Sequence, residues 1–182
     1  LICRNIGLFI KCPKYTQSTN YPIFNHYMSE KNFFDFNFES LKLFLNKDLE
    51  IEEKKVSMRS KQIWQSVYKK GSFEINNLTT FPLELRSKFN TLISLQKPKI
   101  EKTQTSSDGT IKWLIKLFDG NEVECVYIPE KTRATLCISS QVGCTLNCRF
   151  CHTGTQRLVK NLSFAEIVNQ VMIAKEQIND WE

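Results

Sequence analysis

The chain has 182 residues, with 25 Lys and Arg against 19 Asp and Glu, for a net charge of +6 at neutral pH. No apolar run reaches the roughly 20 residues that a membrane-spanning helix needs. An odd count of seven cysteines, without a convincing secretion signal, argues against a disulfide scaffold.

Residues 1–29 are expected to be a disordered or non-native leader. They show no clear periodicity, their apolar patch Ile6-Gly7-Leu8-Phe9-Ile10 is too short to span a membrane, and Met28 looks like a natural start. Residues 30–95 read as a small helical domain. Helices are predicted over Ser40–Leu45, over Ser60–Lys70 with Gly71 as the stop, and over Pro82–Ser94 with proline in the first turn. The aromatics Phe44, Trp64, Tyr68, Phe73, Phe81 and Phe89 are expected to fill its core.

Residues 96–130 change period. The turn dipeptides Asp108-Gly109 and Asp119-Gly120 separate strands over Ile100–Thr105, Thr110–Phe118 and Glu122–Ile128, an antiparallel meander. Residues 131–182 then open a different unit. Ala134–Ser139 is an apolar, β-branched run that predicts a buried strand, and Gly143 permits a turn into a loop. Ser163 and Glu166 stand at capping-box spacing. After them Phe164, Ile167, Val168, Val171, Met172 and Ile178 recur at helical intervals. Strand, loop and helix make the first unit of a parallel α/β sheet or barrel, whose active sites gather at the carboxyl ends of the strands. From Lys131 to Ala165 there are five basic residues and no Asp or Glu, a stretch that suits phosphates or carboxylates.

The loop carries the chemistry. Cys144, Cys148 and Cys151 are spaced C-x3-C-x2-C, so three thiolates can converge on one compact metal centre. An iron–sulfur cluster of four irons usually takes four thiolates; three leave one iron open, the arrangement in which radical S-adenosylmethionine (SAM) enzymes bind SAM. Two other readings stay open on spacing alone. One is zinc, with His152 completing a Cys3His set; the other is cysteine as ordinary core. The thiol motif itself argues for a reducing compartment, the cytoplasm.

The sequence Arg133-Ala134-Thr135-Leu136-Cys137-Ile138-Ser139-Ser140-Gln141-Val142-Gly143-Cys144, followed by Cys148-Arg149-Phe150-Cys151-His152-Thr153-Gly154, resembles the 23S rRNA/tRNA adenine-C2 methyltransferases of the RlmN family and their C8-methylating Cfr sisters. The likeness extends through Val123–Pro129, Arg157 and Asn161-Leu162, and upstream through Arg59–Trp64, Tyr68–Gly71 and Leu78–Pro82, about residues 36–182 in all. It implies an α/β chain: a helical, RNA-associated N-terminal domain, the meander, and the first strand-loop-helix unit of a radical SAM partial barrel, truncated at Glu182.

The resemblance further implies a [4Fe-4S] cluster on Cys144, Cys148 and Cys151, and SAM as cosubstrate. It makes Glu124 the general base at the methylated carbon, and Cys137 the thiol that forms a transient disulfide with a methyl-carrying cysteine not found in these residues. The implied partners are 23S rRNA and tRNA, with an external electron donor such as flavodoxin, and the implied state is a monomer. Read from local pattern alone, Glu124 lies in an alternating strand and faces solvent, and Cys137 is inert core. A C8-methylating enzyme and an inactive RNA- or metal-binding module are the rival functions. The helix after Ser163 is expected to lack a complete sheet to cover.

Overall fold

The computed structural model describes residues 6–10 (backbone only), 31–144 and 156–181. The chain divides into two units, one built on residues 12–96 and the other on residues 97–180 together with the first strand. That strand, β1 (Ile6–Ile10), lies inside the segment read from sequence as a leader.

The first unit is helical. Its two-residue strand β2 (Lys31–Asn32) runs parallel to β3 (Ile93–Ser94), tying its start to its end. Between them lie α1 (Phe38–Lys47), α2 (Glu53–Tyr68) and α3 (Leu83–Leu92). The Asn37 side chain caps α1 by accepting from the Ser40 N–H at 2.8 Å, one of the four donors a helix start leaves unmatched. Helix α2 begins seven residues before the sequence expectation, because Glu53-Lys54-Lys55 are good helix formers with nothing to break the turn. It buries Val56, Ile63 and Val67 on one stripe. Phe44, Tyr68, Phe81 and Phe89 are core, as expected, while Trp64 and Phe73 are half-buried. Two fully buried residues in a short turn, Phe33 and Phe34, complete the aromatic cluster; their rings meet edge to face, with centroids 5.8 Å apart.

The second unit is a five-stranded sheet with one helix on it. β4 (Lys99–Thr105), β5 (Ile111–Lys116), β6 (Glu122–Pro129) and β7 (Ala134–Ile138) are antiparallel neighbours in chain order. β1 adds in parallel beside β7, with Leu8 opposite Leu136, so the sheet order is β1-β7-β6-β5-β4. Both Asp-Gly turns form as read: Thr110 N–H donates to Asp108 and Asn121 N–H to Asp119, each at 3.0 Å. The meander and the strand before the cysteine loop are therefore one continuous sheet.

Helix α4 (Phe164–Ile178) starts on the expected capping box, with Ser163 and Glu166 bonded reciprocally. Its Ile173 and Ala174, with Ile167, Val171 and Ile178 at the margin, pack on Trp113, Ile115, Val123, Cys125, Leu136 and Ile138. The helix was expected to lack a complete sheet to cover; its apolar stripe nevertheless packs on β5, β6 and β7. Phe164 is corrected, at 58% exposed, since it stands at the first turn beyond the sheet's reach. Full burial of Leu136 and Met172 contributes about 1.5–3 kcal/mol each. Two short strands, β8 (Gln141–Val142) and β9 (Lys160–Asn161), pair antiparallel between β7 and α4.

Candidate active site

Strand alternation sorts the candidate residues onto two faces. Val123 and Cys125 of β6, and Leu136 and Ile138 of β7, belong to the core under α4. Glu124 and Cys137, standing between them in sequence, therefore lie on the opposite, open face. Val126 is the register partner of Cys137. Glu124 is two residues earlier on β6, which makes it a diagonal neighbour of Cys137, a relation that spans about 7–8 Å.

Glu124 faces solvent, its side chain 52% exposed, and its carboxylate lies 3.0 Å from the Lys112 ammonium of β5. It borders two shallow clefts. One, of about 220 Å³, is lined by Lys102, Gln104, Lys112, Leu114 and Glu124. The other, of about 230 Å³, is walled by Glu122, Glu124, Ser139, Gln141, Gly143 and Gln156 among others. Each is below the roughly 300–1,000 Å³ of a complete small-molecule site. Each has room for part of a ligand.

The described cysteines are Cys125, Cys137 and Cys144, and none is in a disulfide. Burial pushes the Cys125 thiol up to about 12, with the neighbouring Cys137 a second cause. Cys125 points into the core and Cys137 to the open face, so these adjacent-strand cysteines do not meet across the sheet. Cys137 is half-buried rather than sealed, which leaves its sulfur a route to an external partner.

The cysteine loop leaves and re-enters the fold through a narrow neck. β8 pairs with β9, Val159 N–H donates to Val142 C=O at 2.9 Å, and Cys144 N–H donates to Gln156 C=O at 3.1 Å. Gly143 has φ +76°, and a Cβ there would lie 2.1 Å from the Arg157 carbonyl oxygen. Only glycine lets the two backbones pass this closely. Cys144 thus sits at this close backbone approach. Cys148, Cys151 and His152 lie outside the described residues, and among the described residues no group of three His, Cys, Asp or Glu could hold a metal.

Two polar groups brace this region. Ser139, just after β7, donates its hydroxyl to the Glu124 carbonyl at 2.8 Å. The Gln170 side chain of α4, 1% exposed, pairs with both the N–H and the C=O of Ser139, at 2.8 and 2.9 Å. Lys160 bridges Asp119 in the β5–β6 turn and Glu166 of the capping box. Arg133 pairs with Glu130 at 2.8 Å. Two of the five basic residues near the loop are therefore neutralised within the fold, which narrows their expected role toward phosphates. The sequence reading did not single out Lys112, Ser139 or Gln170. A buried glutamine at helical spacing looks like any polar residue until its partner is placed by the fold.

Among the described residues no helix is long and apolar enough to cross a membrane. No family model matches the chain. It is 49% identical over 130 residues to the dual-specificity RNA methyltransferase RlmN of Rhodopseudomonas palustris strain BisB5, covering 68% of this chain and 33% of that protein. RlmN of Nitrobacter winogradskyi is 50% identical over 130 residues, with the same coverage. RlmN of Bradyrhizobium sp. strain ORS 278 is 46% identical over 140 residues, 74% of this chain and 35% of that protein. The chain thus spans about a third of the length of the curated relatives it matches. The crystal structure of a radical SAM methyltransferase from Sphaerobacter thermophilus superposes with a TM-score of 0.72 at 30% identity, over 82% of this chain and 42% of that one. Over the matched residues the chain is RlmN-like, and its mixed α/β fold is that of a radical SAM methyltransferase.

Proposed function

We propose that the chain belongs to a radical SAM RNA methyltransferase that places a methyl group on C2 of an adenine in 23S rRNA, with tRNA as a second substrate. The observation that carries this reading is identity of about half over 130 residues to dual-specificity RNA methyltransferases RlmN. The positions of Glu124 and Cys137 on one open face beside the loop mouth support it. Cys144, Cys148 and Cys151 would hold a [4Fe-4S] cluster, which when bound supplies the electron that cleaves SAM.

The chain's own residues do the rest. C2 of adenine is an electrophilic carbon, which rules out ordinary nucleophilic methyl transfer, and because the methyl group replaces the ring hydrogen, a base must remove that hydrogen as a proton. Glu124 accepts that proton, its strand held by the Ser139 hydroxyl and its carboxylate oriented by Lys112. The Cys137 thiolate would attack the sulfur of the methyl-carrying cysteine: the sulfur–sulfur bond forms as the carbon–sulfur bond to RNA breaks, the bonding pair passes to the exocyclic carbon and into the adenine ring, and a proton taken up at that carbon completes the methyl group. The helical unit and the meander help to seat the RNA, and a flavodoxin-type donor delivers electrons.

The test uses the full-length protein of this sequence, purified and reconstituted without oxygen, with SAM, reductant and 23S rRNA. Nucleoside mass spectrometry should find 2-methyladenosine, and iron with acid-labile sulfide should be lost on Cys144→Ala. Glu124→Gln should slow proton removal while sparing iron content, and Cys137→Ala should trap RNA covalently on the protein. Finding 8-methyladenosine would move the assignment to the C8 sisters. One bound zinc and unmodified RNA would overturn it.

A further inference from the structure

Where β7 ends, its backbone is held by a side chain rather than by a strand. Ser139 N–H donates to Gln170 Oε1 at 2.8 Å, and Gln170 Nε2 donates to Ser139 C=O at 2.9 Å. The second hydrogen of Nε2 reaches the Glu166 carbonyl at 3.2 Å. The amide therefore makes three bonds inside the fold and stands almost wholly out of water, at 1% exposure. It gives Ser139 the paired donor and acceptor that a neighbouring strand would give. Such a buried, directional pair fixes a backbone far more narrowly than apolar packing does.

The clamp is wired directly to the site. Ser139 is bonded through its hydroxyl to the backbone of Glu124, and lies two residues after Cys137. The next carbonyl, that of Ser140, accepts from Leu162 N–H at 2.9 Å, and Gln141 and Val142 then form the base of the cysteine loop. We infer that Gln170 is a positioning residue: one buried amide on α4 sets the exit of β7, and through it the placement of Glu124, Cys137 and the mouth of the cysteine loop. The clamp itself is a matter of geometry; its catalytic consequence rests on the methyltransferase reading above.

Two variants separate hydrogen bonding from packing. Gln170→Leu keeps the volume and removes all three bonds. Gln170→Glu keeps the shape and an acceptor for Ser139 N–H, but when ionised cannot donate to Ser139 C=O. In the 182-residue chain, amide exchange at Ser139 should quicken at least about tenfold in Gln170→Leu, and by a smaller factor in Gln170→Glu, which keeps the acceptor for Ser139 N–H but leaves the Ser139 and Glu166 carbonyls short of a donor. In the full-length protein, Gln170→Leu should lower kcat for RNA methylation about 100-fold with KM for RNA within about twofold, the signature of misplacement rather than lost binding. Thermal melting monitors global folding in both variants. Unchanged Ser139 exchange in Gln170→Leu would overturn the inference, as would an unchanged kcat with a raised KM. If wild type methylates no RNA, the functional reading fails, and Ser139 exchange then decides the clamp by itself.

Discussion

Replacing Gly143 with alanine tests the loop neck at its tightest point. The backbone there has φ +76°, and the new Cβ would lie 2.1 Å from the Arg157 carbonyl oxygen and 2.8 Å from its carbon. The left-handed conformation alone costs an L residue roughly 1–2 kcal/mol. Ordinary contact requires the Arg157 backbone to withdraw by at least about 1 Å. That movement draws Gln156 away from Cys144, whose N–H bond to it is 3.1 Å long, beyond useful range. Groups left unpaired cost about 1–3 kcal/mol each when out of water, and the low end applies at this half-exposed neck. The sum is about 2–3 kcal/mol of local stability, which is roughly a 100-fold rise in opening of the neck.

The core under α4 does not touch the substitution, so global melting should fall by less than the about 2–4 °C per kcal/mol expected of a cooperative loss. Amide exchange measured by NMR reads this directly. Cys144 and Val159 should exchange about 100-fold faster in Gly143→Ala, while Ile115 in the sheet stays as in wild type. Iron retained after anaerobic reconstitution should fall in parallel. Wild-type exchange at Cys144 and Val159 would refute the reasoning, because the strands on either side of the loop would then have yielded at no cost.

The ion pairs of Lys160 should make stability depend on pH at both ends. Burial pushes the Asp119 carboxyl up, but the Lys160 ammonium and the Asn121 N–H outweigh it and hold it below its usual range. Its contribution is present above the unfolded pKa and is lost as pH falls through the depressed folded value. Burial pulls Lys160 down, but bonds to Asp119 and Glu166 raise it, so its contribution is lost as pH rises through the raised folded value. Urea unfolding across pH should show both losses; Lys160→Met should remove the high-pH loss and shrink the low-pH one, since the Asn121 N–H still holds Asp119. Iodoacetamide should modify Cys137 well before Cys125, whose thiol burial pushes up to about 12; peptide mass mapping that finds Cys125 labelled first would show the core assignment to be wrong. Ser163→Ala, which removes the cap of α4, should cost about 1 kcal/mol by chemical denaturation.

Much of the local structure was legible because it is decided locally. Asp-Gly turns close on their own side chains at Asp108 and Asp119, so the meander could be read residue by residue. Ser163 and Glu166 announce a helix start through bonds only three residues apart. Helix ends without such markers were less legible: no capping side chain marks the start of α2 at Glu53. The apolar stripe of α4 was legible in outline, but its period could not say that Phe164 overhangs the sheet.

The sequence by itself carried the likeness to RlmN-type RNA methyltransferases, because the motif that bears it lies in residues close together in the chain. It showed Glu124 alternating out of phase with apolar neighbours, but read Cys137 as inert core, where the structure leaves it half-buried on the open face. Only the tertiary structure decided that these two side chains share one face, because that depends on the register of β6 against β7, set by pairing across a turn. Only the fold could bring Gln170 to Ser139, or Arg157 against Gly143, since these contacts join positions 31 and 14 residues apart. The energies of such long-range contacts exist only once the sheet and helix have packed, and no local pattern in the chain records them.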